Sequence, residues 1–234
     1  AGKNGIPENI PAFDMIRPDA ERIMALEPDI LFVSSMTRDA TGTDPFAPFS
    51  SLGIPVIYLP VSITIEAIYN DIRTIANACA AEEAGEKTIS DMKATISGIS
   101  ARAEKIPETE RRSVYMEIGT GPSLYSFGSG VFLNELVTTC GARNIFEEET
   151  GWISVNAETV LERNPDVLLT NVPDPHAVQN ILSRPGWDQI TAVKNGNVFA
   201  IDQETSSQPA PGITEALSAI ASAVYPEYFP GAGQ

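Results

Sequence analysis

Asp19-Ala-Glu-Arg-Ile-Met-Ala-Leu-Glu-Pro-Asp-Ile-Leu-Phe-Val-Ser-Ser35 is nearly repeated, much later, by Asn156-Ala-Glu-Thr-Val-Leu-Glu-Arg-Asn-Pro-Asp-Val-Leu-Leu-Thr-Asn-Val172. The offset is 156 − 19 = 137. Each copy opens on a capping residue, then Ala-Glu, then a short apolar helix face. Pro-Asp follows, and then an apolar run. An Asp or Asn side chain satisfies an orphan amide at a helix start, and a first-turn Glu suits the helix dipole. Proline disfavours helix in the residue before it. Ile-Leu-Phe-Val and Val-Leu-Leu are continuous apolar runs, as in parallel strands covered on both faces. The stretch therefore predicts helix, stop and buried strand, used twice in two similar α/β lobes.

Further elements fill in around the repeats. Gly53 to Pro60 reads as a second buried strand. Helix 64–80 carries Ile65, Ile68, Ile72, Ile75 and Cys79 at spacings of three and four,. Residues 82–106 read as one long helix, with Ile89, Met92, Ile96, Ile99, Ala103 and Ile106 in a single narrow stripe. Such a helix is roughly 36 Å long, enough to run across two lobes. A coiled-coil partner is the rival reading of that stripe. Strand 113–118, a glycine-rich loop at 119–130, helix 131–140 ending at Gly141, a short helix from Trp187 to Val193, strand 198–201 and helix 213–224 complete the pass. The tail from Tyr225 to Gln234 reads as loose. Only two strands are convincing before residue 82, too few for a covered parallel sheet. The expectation is that further residues precede residue 1.

The chain has 234 residues, 43% of them hydrophobic and 20% charged, with a net charge of −16. Size and composition allow one large or two small domains. The charge argues against nucleic acid, which selects a basic face. No apolar run approaches the ~20 residues of a membrane span. No leader is legible at Ala1-Gly-Lys-Asn-Gly, so an exported form would have lost it. Cys79 and Cys140 read as buried free thiols in different lobes. Catalysis finds little support. One His and no Gly-x-Ser-x-Gly elbow argue against a hydrolase,. The 119–130 loop lacks Gly-Lys-Ser/Thr, against nucleotide binding. A bare transition-metal site wants several His, and His176 reads as a solvated loop residue.

AERIMALEPDILFVSS (20–35) and AETVLERNPDVLLT (157–170), with GSGVFLNELVTTCGARNIF (128–146) and PGWDQITAVKNGNVFAID (185–202), resemble the iron-siderophore, haem and vitamin B12 family of ABC-transporter substrate-binding proteins. The matches cover most of the chain in the family's order. The resemblance implies an α/β fold of two Rossmann-like lobes with parallel sheets, joined by one long inter-lobe helix. The lobes would be 1–81, lacking its first strands, and 107–234, with 82–106 as the spine. It implies a non-catalytic, monomeric protein outside the cytoplasm, periplasmic or lipid-anchored to the outer face of the membrane. That protein would hold a ferric siderophore between its lobes, with no resident cofactor or metal, and deliver it to an ABC permease with its ATPase. Haem or cobalamin is the alternative cargo, with Tyr58 or Tyr125 as a haem ligand.

The crevice beyond the strands' carboxyl ends nominates Ser35, Met36, Arg38 and Tyr58 in the first lobe. In the second it nominates Tyr125, Trp152, Asn171 and Trp187, and the resemblance implies a pocket loop at 119–130 with Tyr125 and Phe127 as wall residues. Arg38 would pair with an anionic chelate or a propionate. Both tryptophans have a second reading as packing residues. Met15, Ile16 and Arg17 are further cleft candidates. Glu21 and Glu158 occupy the same place in both repeats. They read as helix-dipole acids, worth about 0.3–1 kcal/mol each, and the resemblance implies that they also dock into arginine pockets on the permease.

Overall fold

Both copies of the repeat fold alike at the offset of 137. The computed structural model describes residues 10–14, 17–37, 44–121 and 123–230, so Met15, Ile16 and Arg38 lie outside the described residues. Asp19 accepts a hydrogen bond from the Arg22 amide at 3.1 Å. At the matching place, Asn156 accepts from the Thr159 amide at 2.7 Å. Short helices follow, Ala20–Met24 and Ala157–Arg163. The stop is shared too: Glu27 and Asn164 hold φ of 49° and 45°, the left-handed turn that ends a helix, and a proline follows each,. Asparagine visits that conformation more readily than glutamate. Glu27→Asn is therefore expected to stabilise the protein by about 0.5–1 kcal/mol. An unchanged melting temperature would mean that Glu27 carries no backbone strain.

Two compact units divide the chain, Ala1–Val61 and Ser62–Gln234. In the first, β1 (Leu31–Ser34) and β2 (Val56–Leu59) pair in parallel, Leu31 beside Val56. Ile23, Val33, Phe46 and Phe49 form its core, with Phe46 and Phe49 supplied by the start of helix Ala47–Ser51 and the residue before it. Among the described residues this sheet has two strands.

The second unit begins earlier than residue 82, where the sequence ends the first lobe. Helix Ile65–Ala78 shares a core with the long helix Glu82–Ala103, because Ile65, Ile68 and Tyr69 are buried in one cluster with Ile89 and Met92. Gly85 permits the close crossing: a Cβ there would lie 2.5 Å from the Ala76 Cβ. The long helix stops at Ala103 rather than 106, although Ile106 stays buried.

Among the described residues six strands follow: β3 (Ser113–Glu117), β4 (Leu124–Phe127), β5 (Arg143–Asn144), β6 (Trp152–Val155), β7 (Val167–Thr170) and β8 (Val198–Ala200). Four make a parallel sheet in the order β5-β3-β7-β8. Side chains alternate across it. Val114, Met116, Val167 and Leu169 enter the cluster formed with helices Phe132–Thr139 and Ile213–Val224. Tyr115 and Leu168 enter the other, with Val160, Ile181 and Ile190. Helices thus cover both faces, which is why these strands read as unbroken apolar runs.

Three expectations change. Part of the glycine-rich stretch is strand: β4 pairs antiparallel with β6, Phe127 opposite Trp152. The cysteines are free, but both lie in the second unit and Cys79 is exposed. Burial pushes the Cys140 thiol up to about 12. The tail is held as far as residue 230. Tyr225 is buried and its hydroxyl accepts from the Arg112 amide at 2.7 Å and donates to the Gly141 carbonyl at 3.1 Å.

Candidate functional site

An exposed aromatic shelf is the clearest binding feature of the second unit. The β4–β6 ribbon puts Tyr125, Phe127, Trp152 and Ser154 on one face, because cross-strand partners share a face and alternate residues repeat it,. Trp152 is 50% exposed and Tyr125 is 41% exposed. Below Trp152 lie Phe127 and Phe132, both buried, each meeting it edge-on at 6.3 and 6.2 Å between ring centroids. Phe127 is therefore a support and not a wall residue. Tyr125 is fixed through its backbone: its amide donates to the Gly119 carbonyl at 2.9 Å, and its carbonyl accepts from the Ile118 amide at 2.9 Å. Two aromatic rings are thus held out to solvent on a hydrogen-bonded ribbon, where they offer a large contact area,.

Trp187 is placed otherwise. It is 1% exposed, edge-on to Tyr115 at 6.2 Å. A ligand cannot reach its ring, and its expected contact is withdrawn. The Arg184 guanidinium lies 4.5 Å above that ring and grips Glu117 through two bonds of 2.6 and 2.7 Å. The Tyr115 hydroxyl donates to the same carboxylate at 3.4 Å, and burial pushes the Tyr115 phenol up. The sequence reading missed this pair. Its one signal was Glu117, a charge at the end of the apolar run Val114-Tyr-Met.

Asn171 is also buried. Its side-chain amide donates to Ser206 and Ser207 at 3.0 and 3.1 Å. The amide thereby ties the carboxyl end of β7 to helix Gln203–Ser207. Its hydrogen bonds hold the fold at the place where the parallel strands end.

In the first unit Met36 is exposed beyond β1. Tyr58 is half-buried against the Ile23–Phe49 core, and its hydroxyl donates to the Asp44 carboxylate at 2.5 Å. Arg38 lies outside the described residues. Glu21 and Glu158 are both exposed, and among the described residues neither makes an ion pair. His176 is exposed at the start of helix Ala177–Leu182. Among the described residues no group of three His, Cys, Asp or Glu side chains is placed to hold a metal ion. No helix among them is long and apolar enough to cross a membrane.

Comparison with known proteins bears on the family and the fold. The family model described as periplasmic binding protein matches residues 14–205. The ABC transporter substrate-binding lipoprotein YvrC of Bacillus subtilis is 26% identical over 211 residues, covering 90% of this chain and 66% of YvrC. A cobalamin-binding protein of Halobacterium salinarum is 26% identical over 216 residues, covering 88% of this chain and 56% of its own. The chain thus spans about two-thirds of one relative and just over half of the other. A possible iron-binding periplasmic solute-binding protein from Staphylococcus epidermidis superposes with a TM-score of 0.79 at 25% identity, covering 91% of this chain and 82% of that one. The family match takes in both repeat units, β1 to β8 and the aromatic ribbon, and the chain belongs to the periplasmic binding protein family.

Proposed function

We propose that this chain is the solute-binding component of an ABC importer, working outside the cytoplasm as a monomer. It takes up a ferric siderophore and hands it to a membrane permease with its ATPase, with no chemical step of its own. The observation that carries the cargo class is the shelf of Tyr125 and Trp152. Large flat rings on a rigid ribbon suit a bulky, partly aromatic chelate, for which area and shape count more than single polar bonds. Met36, Tyr58 and Arg38 are the proposed contacts from the first unit. Asn171 acts by holding the end of β7. The likeness to a possible iron-binding protein supports iron as cargo.

A corrinoid is the second reading. The same shelf suits a macrocycle face, and the cobalamin-binding relative supports it. Haem is a third reading: Tyr58 would have to leave Asp44 to bind iron, whereas Tyr125 stands exposed on the shelf.

The two tryptophans make the test direct. Trp187 is buried beneath Arg184 and serves as an internal reference, while Trp152 is exposed and reports on bound ligand. Titration of the full-length mature protein with ferric siderophores, cyanocobalamin and haemin is expected to quench Trp152 emission with one class only, at a dissociation constant below about 1 μM. Trp152→Ala, which removes the reporter and is therefore read by isothermal titration calorimetry, is expected to weaken that ligand at least about tenfold, the loss typical of an aromatic anchor. Flat titrations from folded protein would overturn the iron-chelate reading, and quenching by cyanocobalamin alone would select the corrinoid.

A further inference from the structure

Among the described residues β6 has one neighbour in its sheet, β4, so its other edge is open. Tyr125 decides which backbone groups that edge presents. Its amide donates to the Gly119 carbonyl and its carbonyl accepts from the Ile118 amide, both at 2.9 Å and both away from β6. Tyr125 and Ser154 therefore stand opposite each other as a pair that exchanges no hydrogen bonds,. In such a pair each residue turns its amide and carbonyl outward. Ser154, and by the same alternation Trp152, thus aim both backbone groups at the open edge. Neither residue's backbone meets another backbone group among the described residues, and both residues are exposed. A groove of about 360 Å³ runs beside them. Ile153, Ser154 and Val155 all line it. Successive side chains of a strand point to opposite faces, so three in a row mark the edge of β6 and not a face. Phe146 gives the groove a buried apolar part. Of its two charges, Arg163 is paired with Glu148, whereas Glu149 is exposed and makes no ion pair among the described residues. Ser154 lies both on the face of the aromatic shelf and in the wall of the groove, so the two are continuous.

We infer that β6 takes an extended peptide segment of the ligand as an added strand, so that the cargo is a ferric chelate built on a short peptide backbone. The inference rests on the siderophore reading above. The chelated head lies on Tyr125 and Trp152, and the peptide continues past Ser154 into the groove. A ligand carbonyl accepts from the Ser154 amide, and a ligand amide donates to the Ser154 carbonyl. Strand addition draws its affinity from such main-chain bonds, so the edge reads an extended backbone before it reads side chains. Continuity selects the occupant: a chelate without a peptide backbone covers the shelf and leaves the edge unpaired, and a peptide without a chelate does the reverse. Charge complementarity narrows it further. With Arg163 already balanced, Glu149 leaves the groove negative, and the segment that enters is basic or neutral and not acidic.

Backbone pairing can be tested without touching the iron-binding groups. The probe is the ferric complex of a linear peptide of three δ-N-acetyl-δ-N-hydroxyornithines followed by lysine. A second form carries a methyl group on every backbone nitrogen and keeps the same three hydroxamates and the same lysine. Both are titrated into the full-length mature protein and read by Trp152 quenching. The methylated form is expected to bind at least about tenfold more weakly, since it has no amide to donate and its methyl groups stand where β6 must approach. Ser154→Pro deletes the donor from the protein's side. Proline is tolerated on an edge strand where its nitrogen faces away from the neighbouring strand, so the β4–β6 ladder is kept. This variant is expected to bind the unmethylated form about tenfold more weakly and to distinguish the two forms no longer. Should it fail to fold, the comparison of the two forms on the wild-type protein still decides. Glutamate in place of the peptide's lysine is expected to weaken binding at low salt, and equal binding would remove Glu149 from the site. Equal affinity of the wild-type protein for the methylated and unmethylated forms overturns strand addition and leaves the siderophore reading standing. So does binding of non-peptide ferric chelates with none of the peptide probe. A dimer in sedimentation that Ser154→Pro abolishes would assign the edge to a second copy of the chain and overturn the inference. No binding of any ferric chelate overturns both readings.

Discussion

Arg184→Ala is expected to cost about 3–5 kcal/mol of folding stability, the penalty for leaving a buried charge without its partner. Glu117 is 2% exposed at its side chain, and both of its oxygens are held by the Arg184 fork. Its other neighbour is the Tyr115 hydroxyl at 3.4 Å, a long bond that cannot replace two short charged ones. Arg184→Lys keeps the charge but not the planar fork or the stacking on Trp187, so an intermediate loss is expected. The paired change Glu117→Met with Arg184→Met removes both charges and is expected to recover most of the stability, because a buried pair is worth little over a packed apolar one. Chemical denaturation followed by Trp187 emission reads all three, since that ring lies beneath the guanidinium. A loss below about 1 kcal/mol in Arg184→Ala would show that water or a shifted side chain satisfies Glu117 instead.

This pair also marks the limit of what the chain discloses in one dimension. The repeat was legible because its signals are local: Asp19 and Asn156 cap their own helices, and Pro28 and Pro165 follow their own stops. The buried strands were legible because β7 is apolar at each of Val167, Leu168 and Leu169, as a strand covered on both faces must be. Glu117 and Arg184 are 67 residues apart, and no local pattern joins them. The same distance problem hid the division at Val61. Helix Ile65–Ala78 shows its apolar stripe in sequence, yet nothing in the stripe says which core receives it.

Other differences have local causes that point the wrong way. Glycines at 119, 121, 128 and 130 are loop signals, and they masked the four residues of β4 between them. The candidate site was half legible for a related reason. Aromatic residues near turns nominate walls, and Tyr125 and Trp152 are exposed as a wall requires. Trp187 carries the same local signal, but Arg184 and Tyr115 enclose it. The sequence alone cannot distinguish an aromatic residue that faces solvent from one that its neighbours cover.

Gly128→Ala brings fold and function together, and it is expected to cost about 3 kcal/mol, the upper end of the overpacking range. The backbone at Gly128 lies against the chain at Glu149. A Cβ there would stand 2.2 Å from the Glu149 carbonyl oxygen and 2.3 Å from its carbon. Both atoms are backbone, so no rotamer change relieves the clash. Three hydrogen bonds of 2.8 Å would be strained together: Gly128 amide to Gly151 carbonyl, Ser129 amide to Glu149 carbonyl, and Gly151 amide to Ser129 carbonyl. These bonds hold the turn that delivers Trp152 to its place opposite Phe127. The variant should therefore lose stability and, in the fraction still folded, ligand-induced quenching of Trp152. Gly98→Ala is the control. Nothing lies within 4 Å of its added Cβ, and it sits inside helix Glu82–Ala103, so it should gain up to about 1 kcal/mol. Thermal melts read the stability of both variants, and a siderophore titration reads the shelf. A Gly128→Ala protein that melts like wild type and quenches normally would mean that the 149–151 turn moves freely. Trp152 would then not be held in place by this turn.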